Sequence, residues 1–171
     1  MSGASAYLIR EPEPGDVEGF AALHVRVWQE TYRGIMDDEV VDALSIDGFR
    51  PIWYSITKAY AEGTVPDDGR LFRVAVLGQE PVAFLMSGPA RDEDAPHPRQ
   101  LWSLNVAPEH QGGGVAQRLM DEVLGEGPAY LWVARGNARA IRFYERNGFV
   151  LDGTESADQH DGVVELRMVR D

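Results

Sequence analysis

Residues 101–116 read Leu-Trp-Ser-Leu-Asn-Val-Ala-Pro-Glu-His-Gln-Gly-Gly-Gly-Val-Ala, and this stretch decides the fold. Its first six residues are typical of a β-strand, and residues 114–124 place apolar side chains at helical spacing. Consecutive glycines between a strand and a helix let several backbone N–H groups point to one spot, at the positive end of the helix dipole. A flexible glycine linker is the competing interpretation, and the elements on both sides argue against it. The stretch therefore predicts a phosphate-binding turn.

Around this turn the hydrophobic pattern alternates between strand and helix periods. Helices are predicted over 17–34, 38–44, 46–62, 114–124 and 138–146, and strands over 7–10, 71–77, 81–86, 101–106, 129–134, 149–156 and 163–169. Asp16 is the predicted N-cap of the first helix, and the polar segment 88–99 predicts a mobile loop. The order predicts an α/β (α+β) protein, one domain over residues 1–171, with a mixed sheet packed against helices.

The composition restricts the classes of function. The chain has 171 residues, no cysteine, and 28 acidic against 16 basic residues, which gives a net charge of −12. Without cysteine there is no disulfide, no thiolate metal site and no cysteine nucleophile. The negative charge argues against nucleic acid as a partner and would attract a cationic substrate, although acidity is also a common solubility trait.

The expected compartment follows from the apolar segments. No apolar run reaches the ~20 residues that span a bilayer. The start of the chain, residues 1–10, lacks the basic and apolar regions of a signal peptide. We therefore expect a cytoplasmic protein with no membrane partner. The sequence does not choose between a monomer and a homodimer.

Two common phosphate motifs do not match the glycine turn. A nucleotide triphosphatase needs Lys followed by Ser or Thr after the last glycine, and Val115-Ala116 stands there. A dinucleotide site needs a further glycine where Gln117 stands. It also needs an acidic residue at the end of the next strand, which here ends at Arg135. Both classes are excluded.

Two segments instead resemble the GCN5-related N-acetyltransferase (GNAT) family. The first is the family's pyrophosphate loop, here Gln111-x-x-Gly114-x-Ala116, which follows a strand with a Leu-x-Val element at Leu104 and Val106. The second is Asn137-x-x-Ala140-x-x-Phe143-Tyr144-x-x-x-Gly148-Phe149. Residues 27–35 resemble the family's first helix and loop more weakly. With the agreement in element order, the resemblance covers essentially the whole chain.

The resemblance implies a fold and a cosubstrate. The fold would be a mostly antiparallel sheet of six to seven strands whose fourth and fifth strands separate at a bulge. The pantetheine arm of acetyl-CoA would lie in that gap, held by backbone groups of Leu104, Asn105 and Val106. The pyrophosphate would be bound by the amides of Gln111, Gly112, Gly113, Gly114, Val115 and Ala116.

The resemblance also implies an activity, the transfer of acetyl from acetyl-CoA directly to a primary amine, with no metal. Asn137 would contact the cofactor arm, and Tyr144 would donate a proton to the departing thiolate. Tyr144 could instead be only a core residue. A catalytically silent acyl-CoA-binding module is the alternative function.

The sequence does not identify the acceptor, whose amine could belong to a small molecule or to a protein N-terminus. Trp28, Tyr32 and Ser103 are the candidate acceptor-site residues, although Trp28 and Tyr32 at a spacing of four are also typical of core packing. The predicted fourth strand carries no acid or histidine to act as a base. Either water held by Ser103 or Asn105 takes the proton from the amine, or Glu30 does.

Three further patterns stand apart from the motifs. Four arginines, Arg135, Arg139, Arg142 and Arg146, recur along one predicted helix face and could be solvated or meet the 3′-phosphate of CoA. The four histidines, His24, His97, His110 and His160, show no metal-ligand spacing. Ser55-x-x-Lys58 matches an acyl-serine signature whose other motifs are missing, so we expect no role for it.

Overall fold

The computed structural model describes residues 6–157 and 162–171. These residues form one seven-stranded sheet in the order β1-β2-β3-β4-β5-β7-β6. The strands are β1 (Tyr7–Arg10), β2 (Leu71–Leu77), β3 (Glu80–Pro89), β4 (Arg99–Val106), β5 (Ala129–Ala134), β6 (Val150–Ala157) and β7 (Val164–Arg170). Neighbouring strands are antiparallel, except that β4 and β5 are parallel. The mixed, mostly antiparallel sheet confirms the predicted fold class.

Helices cover both faces of the sheet. They are α1 (Val17–Tyr32), α2 (Asp38–Ala43), α3 (Ile46–Glu62), α4 (Val115–Val123) and α5 (Ala138–Arg146). Alternate residues of a strand point to opposite faces, so each central strand feeds two cores. Val74 packs with α1 and α3, and the next residue, Ala75, packs with α4 and α5. No helix in the described residues is long and apolar enough to cross a bilayer.

Strands β4 and β5 pair only at their beginnings, through Gln100 with Tyr130 and Leu101 with Leu131. On its other edge, β4 stays paired with β3 as far as Val106. The register between β3 and β4 shifts by one residue at Trp102, because Ser87 pairs with Leu101 while Met86 pairs with Ser103. A bulge of this kind bends the strand that carries it. The expected separation of the fourth and fifth strands is therefore confirmed.

The first helix begins at the predicted residue, with Asp16 at its N-cap position. The Asp16 carboxylate makes no capping hydrogen bond to α1. It instead accepts two hydrogen bonds from Arg10, at 2.7 and 2.9 Å, and one from the backbone N–H of Glu13, at 2.7 Å. Asp16 is thus the N-cap residue, as predicted, but its side chain does not cap the helix, because an arginine from β1 occupies its carboxylate oxygens.

The connection between β3 and β4 is shorter than predicted and is fastened to the sheet. The strands extend to Pro89 and from Arg99, which leaves residues 90–98 between them. Asp92 accepts hydrogen bonds from two β5 side chains, and Asp94 binds Arg167 of β7 at 3.1 Å. The polar composition predicted a mobile loop, but its acidic side chains hold it against the neighbouring strands.

His24 lies on the buried face of α1, where aromatic rings surround its side chain. Its ring is 6% exposed, stacks on Phe49 with centroids 3.9 Å apart, and accepts a hydrogen bond from Trp53 Nε1 at 3.3 Å. Burial lowers the pKa of His24 to about 4, because a charged imidazolium would lose its hydration there. The sequence expectation of a packed histidine is confirmed.

This burial predicts acid sensitivity. His24 binds a proton less readily in the folded protein than in the unfolded chain. Its contribution to the free energy of unfolding is therefore complete above pH 6.5 and is lost as the pH falls towards 4. The loss should reach about 3 kcal/mol in the free energy of unfolding. Denaturant unfolding at several pH values measures it, with His24→Phe as the comparison because its ring cannot be protonated. Equal pH dependence in parent and variant would contradict the prediction.

Candidate functional site

A cleft of about 1000 Å³ opens where β4 and β5 separate. Its walls come from α1, β4, the turn over 108–114, β5, α5 and the residues that lead into β7. The structure brings most of the predicted site residues to this cleft: Trp28, Tyr32, Ser103, Leu104, Asn105, Val106, Gln111, Gly112, Gly114, Ala116, Asn137 and Tyr144. Gly113 and Val115 lie outside the lining.

The glycine turn has the open geometry of an anion cradle. Gly112 and Gly114 adopt φ angles of 78° and 85°, which L side chains rarely adopt. A Cβ built on either residue would meet nothing within 4 Å, so the space above the turn is open. Helix α4 begins directly afterwards, and the first turn of a helix leaves N–H groups without intrahelical acceptors. The turn can therefore hold phosphate oxygens.

Two predicted residues of this turn also have packing roles, and their predicted contacts, made through backbone N–H groups, stay predictions. A Cβ on Gly113 would come within 2.8 Å of the Tyr7 hydroxyl, so Gly113 allows β1 to pack closely. Val115 is 1% exposed and belongs to the core beneath α4. Only its backbone N–H, at the first position of α4, remains as a candidate contact.

Side chains from three elements brace the turn. Gln111 Nε2 donates to the carbonyl oxygen of Val106 at 3.2 Å, and Arg139 donates to Gln111 Oε1. On the other side, the Tyr7 hydroxyl and His110 Nδ1 share a hydrogen bond of 3.1 Å. These hydrogen bonds hold the turn against β1, β4 and α5 without any ligand. Binding of an anion would therefore require little further ordering of the turn.

The four arginines of the predicted stripe have different surroundings in the structure. Arg139 and Arg146 line the cleft, whereas Arg135 forms an ion pair with Glu155 of β6. Arg142 is exposed and outside the lining. The cleft therefore has positive charge on its α5 side, next to the glycine turn. The prediction that all four share one helix face was wrong for Arg135, because α5 begins only at Ala138.

Tyr144 combines a core position with access to the cleft. It is 8% exposed, its ring packs at 6.0 Å from that of Phe149, and the residue lines the cleft. Burial raises the pKa of its phenol, and the nearby Tyr32 phenol adds to the rise. Tyr144 therefore keeps its proton throughout the neutral range. Its core role and its candidate catalytic role are compatible.

Asn137 is the N-cap of α5. Its side-chain oxygen accepts a hydrogen bond from the backbone N–H of Ala140 at 3.2 Å, which satisfies one of the amides that a helix start leaves open. Only the side-chain nitrogen of Asn137 is left to face a ligand. Its position in the cleft agrees with the predicted contact, which stays a prediction.

The Ser103 and Asn105 side chains interact within the cleft. Asn105 Nδ2 donates to Ser103 Oγ at 2.6 Å. Glu30, the other base candidate, also lines the cleft, but its side chain is 49% exposed and lies 3.3 Å from Arg26. Trp28 and Tyr32 line the cleft with ring centroids 5.2 Å apart and also pack against Met36 and Val41.

Several cleft residues were not identified from the sequence. They are Trp102, Trp132, His110 and Glu165. Trp102 and Trp132 belong to strands in which any apolar residue satisfies the pattern, so the side facing the cleft follows only from strand pairing. His110 was considered only for metal-ligand spacing. Glu165 lies on a closing strand that the motifs do not cover.

One group of potential metal ligands lies at the edge of the cleft, because His110 belongs both to the group and to the cleft lining. Among the described residues, Glu80, Glu109 and His110 place ligand atoms within 4.8 Å of one another. Glu109 is held by Arg26 at 2.8 Å, and His110 Nδ1 by Tyr7. The group is accounted for by these contacts, and the expectation that no metal is needed stays a prediction.

The other sequence patterns lie away from the site. Ser55 and Lys58 line a separate shallow groove on α3. His97 bonds to Asp171 at 2.9 Å, and His160 falls outside the described residues.

The opened parallel strand pair, with a glycine turn and cationic side chains at one end of the gap, forms a cleft that can accommodate a ligand carrying phosphate groups. Residues 28–149 match the model of the acetyltransferase (GNAT) family. A probable N-acetyltransferase of Mycobacterium tuberculosis is 31% identical over 150 residues, which cover 85% of this chain and 80% of that protein. The chain belongs to the GNAT acetyltransferase family.

Solved structures share this fold. The PaiA N-acetyltransferase of Thermoplasma acidophilum, solved in complex with coenzyme A, is 21% identical with a TM-score of 0.72; the match covers 96% of this chain and 98% of that one. A ribosomal-protein-alanine N-acetyltransferase of Brucella melitensis is 22% identical with a TM-score of 0.68, covering 95% and 98%. At these identities the likeness extends to the fold.

Proposed function

We propose that this protein transfers acetyl from acetyl-CoA directly to a primary amine. The observation that carries the proposal is the single cleft in which a braced glycine turn adjoins an unpaired strand edge and a buried tyrosine. Family membership supports acyl transfer in general. The donor, the amine and the residue roles are inferred from the residues of the cleft.

The strand gap fits the arm of the donor. Beyond Leu101, the β4 edge that faces β5 has no strand partner among the residues that the structure describes, while the opposite edge is paired with β3. A ligand with peptide-like amides can pair with such an edge as an added strand. Backbone groups of Leu104, Asn105 and Val106 would hold the arm, and one N–H would stabilise the oxyanion that develops at the carbonyl.

The phosphate end fits the charge of the donor. The glycine turn offers N–H groups, and Arg139 and Arg146 add two positive charges on the same side of the cleft. The Gln111 side chain keeps the turn next to the end of β4, so the phosphates and the arm would be held in register. These contacts concern groups common to all acyl-CoA thioesters, and acetyl is inferred from the family resemblance.

Proton movement requires a base and an acid. An alkyl ammonium near pKa 10.4 must lose a proton before attack, which costs about 4.6 kcal/mol at pH 7. Water held by the Ser103–Asn105 pair is better placed than Glu30, because the pair lies on β4 beside the gap whereas Glu30 is half exposed and bound by Arg26. Tyr144, protonated at neutral pH, would donate to the departing thiolate.

Amine-dependent release of thiol tests the proposal. With acetyl-CoA and a panel of primary amines, we expect CoA release well above the rate without amine, together with an acetylated product by mass spectrometry. The same incubation without amine is the control for simple thioester hydrolysis. If calorimetry shows that the protein binds acetyl-CoA, but none of the amines or peptides tested causes thiol release, the protein would instead be the silent acyl-CoA-binding module.

A further inference from the structure

We propose that Tyr7 of the edge strand β1 is a positioning residue for the cosubstrate: its hydroxyl holds the glycine turn in place and so raises the affinity for acetyl-CoA without contacting it. The inference rests on the proposed function, in which this turn binds the pyrophosphate, and adds a residue that no motif of the sequence indicates. It is carried by the contacts of the Tyr7 hydroxyl, of the Tyr7 backbone and of Gly113.

The Tyr7 hydroxyl is bound at the start of the turn. It shares a hydrogen bond of 3.1 Å with His110 Nδ1, and the two rings meet edge to face with centroids 5.6 Å apart. The His110 carbonyl oxygen in turn accepts a hydrogen bond from the Gly113 N–H at 3.1 Å. A continuous series of hydrogen bonds therefore leads from β1 to the residue before Gly114, the N-cap of α4.

The same hydroxyl explains why the middle residue of the turn is glycine. Gly112 and Gly114 adopt positive φ angles, and Gly113 does not. A Cβ on Gly113 would instead lie 2.8 Å from the Tyr7 hydroxyl oxygen, closer than real Cβ atoms approach another heavy atom. The contact with Tyr7 thus sets how closely the turn approaches β1.

The backbone of Tyr7 is held as well. It pairs with Leu77 of β2, and its carbonyl oxygen accepts a hydrogen bond from Arg118 Nη1 of α4 at 2.9 Å. The ring packs against the core beneath α4. Tyr7 therefore contacts the chain on both sides of residues 114–116, whose N–H groups are candidate ligands of the pyrophosphate.

These contacts favour binding by restricting the turn in advance. Three consecutive glycines have large conformational freedom, and a ligand that ordered them would lose binding free energy in doing so. A turn already ordered by Tyr7 avoids this loss. Tyr7 lies outside the cleft lining, so its effect passes through His110 and Gly113. Bound acetyl-CoA and the transition state use the same turn, so the effect belongs in KM rather than in kcat.

Tyr7→Phe removes the hydroxyl and keeps the ring. We expect Kd and KM for acetyl-CoA to rise about fivefold through the loss of one hydrogen bond, with kcat at saturating acetyl-CoA within about twofold of the parent. Tyr60→Phe is the matched control, because the Tyr60 hydroxyl bonds to the Phe72 backbone outside the cleft lining. Parental Kd in Tyr7→Phe, or an equal rise in both variants, would overturn the inference.

Gly113→Ala tests the close approach in a second way. In the parent, the new methyl group would displace the hydroxyl from His110, so this variant and Tyr7→Phe lose the same contact. Without the hydroxyl, the nearest Tyr7 atom is Cζ at 3.7 Å, an ordinary contact. The other tight contact, with the His110 carbonyl oxygen at 3.1 Å, is the same with either residue at position 7.

The two substitutions should therefore be strongly non-additive. We expect Gly113→Ala to weaken acetyl-CoA binding about tenfold in the parent and only about twofold in Tyr7→Phe, which leaves the double variant about tenfold below the parent. Independent effects would multiply to about fiftyfold. Calorimetry of the parent, both single variants and the double variant decides between these results, and a fiftyfold loss would contradict the inference.

Amide hydrogen exchange in the ligand-free protein separates this inference from the proposed function. The Gly113 N–H donates to His110 and the Arg118 N–H donates to Gly114, both at 3.1 Å, so their exchange reports the order of the turn. We expect both amides to exchange about fivefold faster in Tyr7→Phe and at the parental rate in Tyr60→Phe.

The two proposals fail in different measurements. If the parent does not bind acetyl-CoA, or binds it and acetylates no amine, the proposed function fails, and amide exchange still tests Tyr7. If the Gly113 and Arg118 amides exchange at parental rates in Tyr7→Phe, the hydroxyl does not order the turn. The inference is then wrong whether or not the protein is an enzyme.

Discussion

Gly114→Glu is expected to reduce acetyl-CoA affinity by at least about a hundredfold while the protein stays folded. A Cβ at this position meets nothing within 4 Å, so the new side chain can enter the space above the turn without displacing the core. Its carboxylate would lie close to the pyrophosphate, and two like charges ~4 Å apart cost about 4 kcal/mol near a protein surface. Calorimetry of acetyl-CoA binding measures the effect.

Two further variants separate charge from backbone strain. Gly114 has a φ angle of 85°, and an L residue in the left-handed region costs about 1–2 kcal/mol. Gly114→Ala carries this strain alone, and Gly114→Gln adds the volume of glutamate without its charge. We expect affinity to fall in the order Ala, Gln, Glu. Equal acetyl-CoA affinities for the Gln and Glu variants would show that the charge of the new side chain has no effect. A folded Glu variant that binds acetyl-CoA as tightly as the parent would show that the turn does not bind the pyrophosphate.

The glycine turn was predictable because its determinants are local. Only glycine readily adopts the φ angles of Gly112 and Gly114, and the helix start follows directly in the chain. Tyr144 and Asn137 were likewise identified from a motif of fixed spacing. The separation of β4 and β5 came from the resemblance to the family, because the sequence of either strand alone is only apolar.

The part of the cleft that Trp132 lines was not predictable, because it depends on pairing between segments distant in the chain. Trp132 stands in a continuous apolar strand, and its exposure to the cleft follows from its register with β7. Asp92 lies in a polar segment whose composition indicates a loop and gives no sign that the carboxylate meets two β5 side chains. Such contacts are properties of the fold, so the sequence indicated the glycine turn better than the part of the cleft that Trp132 lines.

The charge on α5 shows the same limit on a smaller scale. Periodicity predicted four arginines on one helix face, yet Arg135 precedes α5 and the neighbours of the other three differ. Glu155 of β6 forms an ion pair with Arg135, while Arg139 donates a hydrogen bond to Gln111 of the glycine turn. The ion pair between Arg135 and Glu155 depends on which strands lie side by side in the sheet, and helical periodicity does not show this.

A test of Tyr144 needs a tyrosine whose loss affects only stability. Tyr60 serves this purpose, because it lies outside the cleft lining and its hydroxyl accepts a hydrogen bond from the backbone N–H of Phe72 at 3.0 Å. Tyr60→Phe should lower the free energy of unfolding by about 1 kcal/mol and leave turnover unchanged. It shows what the removal of one hydroxyl does to the fold alone.

Tyr144→Phe is expected to lower turnover at saturating acetyl-CoA and amine by about a hundredfold, with cofactor affinity and folding retained. Burial raises the pKa of the Tyr144 phenol, so the proton is present at neutral pH but is held more firmly than in water. Even an unperturbed phenol near pKa 10 makes full transfer to a thiolate near 8.5 unfavourable by about 2 kcal/mol. The donation is therefore partial, which places the loss at the lower end of the ~10²–10⁴ range for general acids. Turnover within about threefold of the parent, with Tyr60→Phe behaving alike, would return Tyr144 to a purely structural role and leave protonation of the thiolate to water.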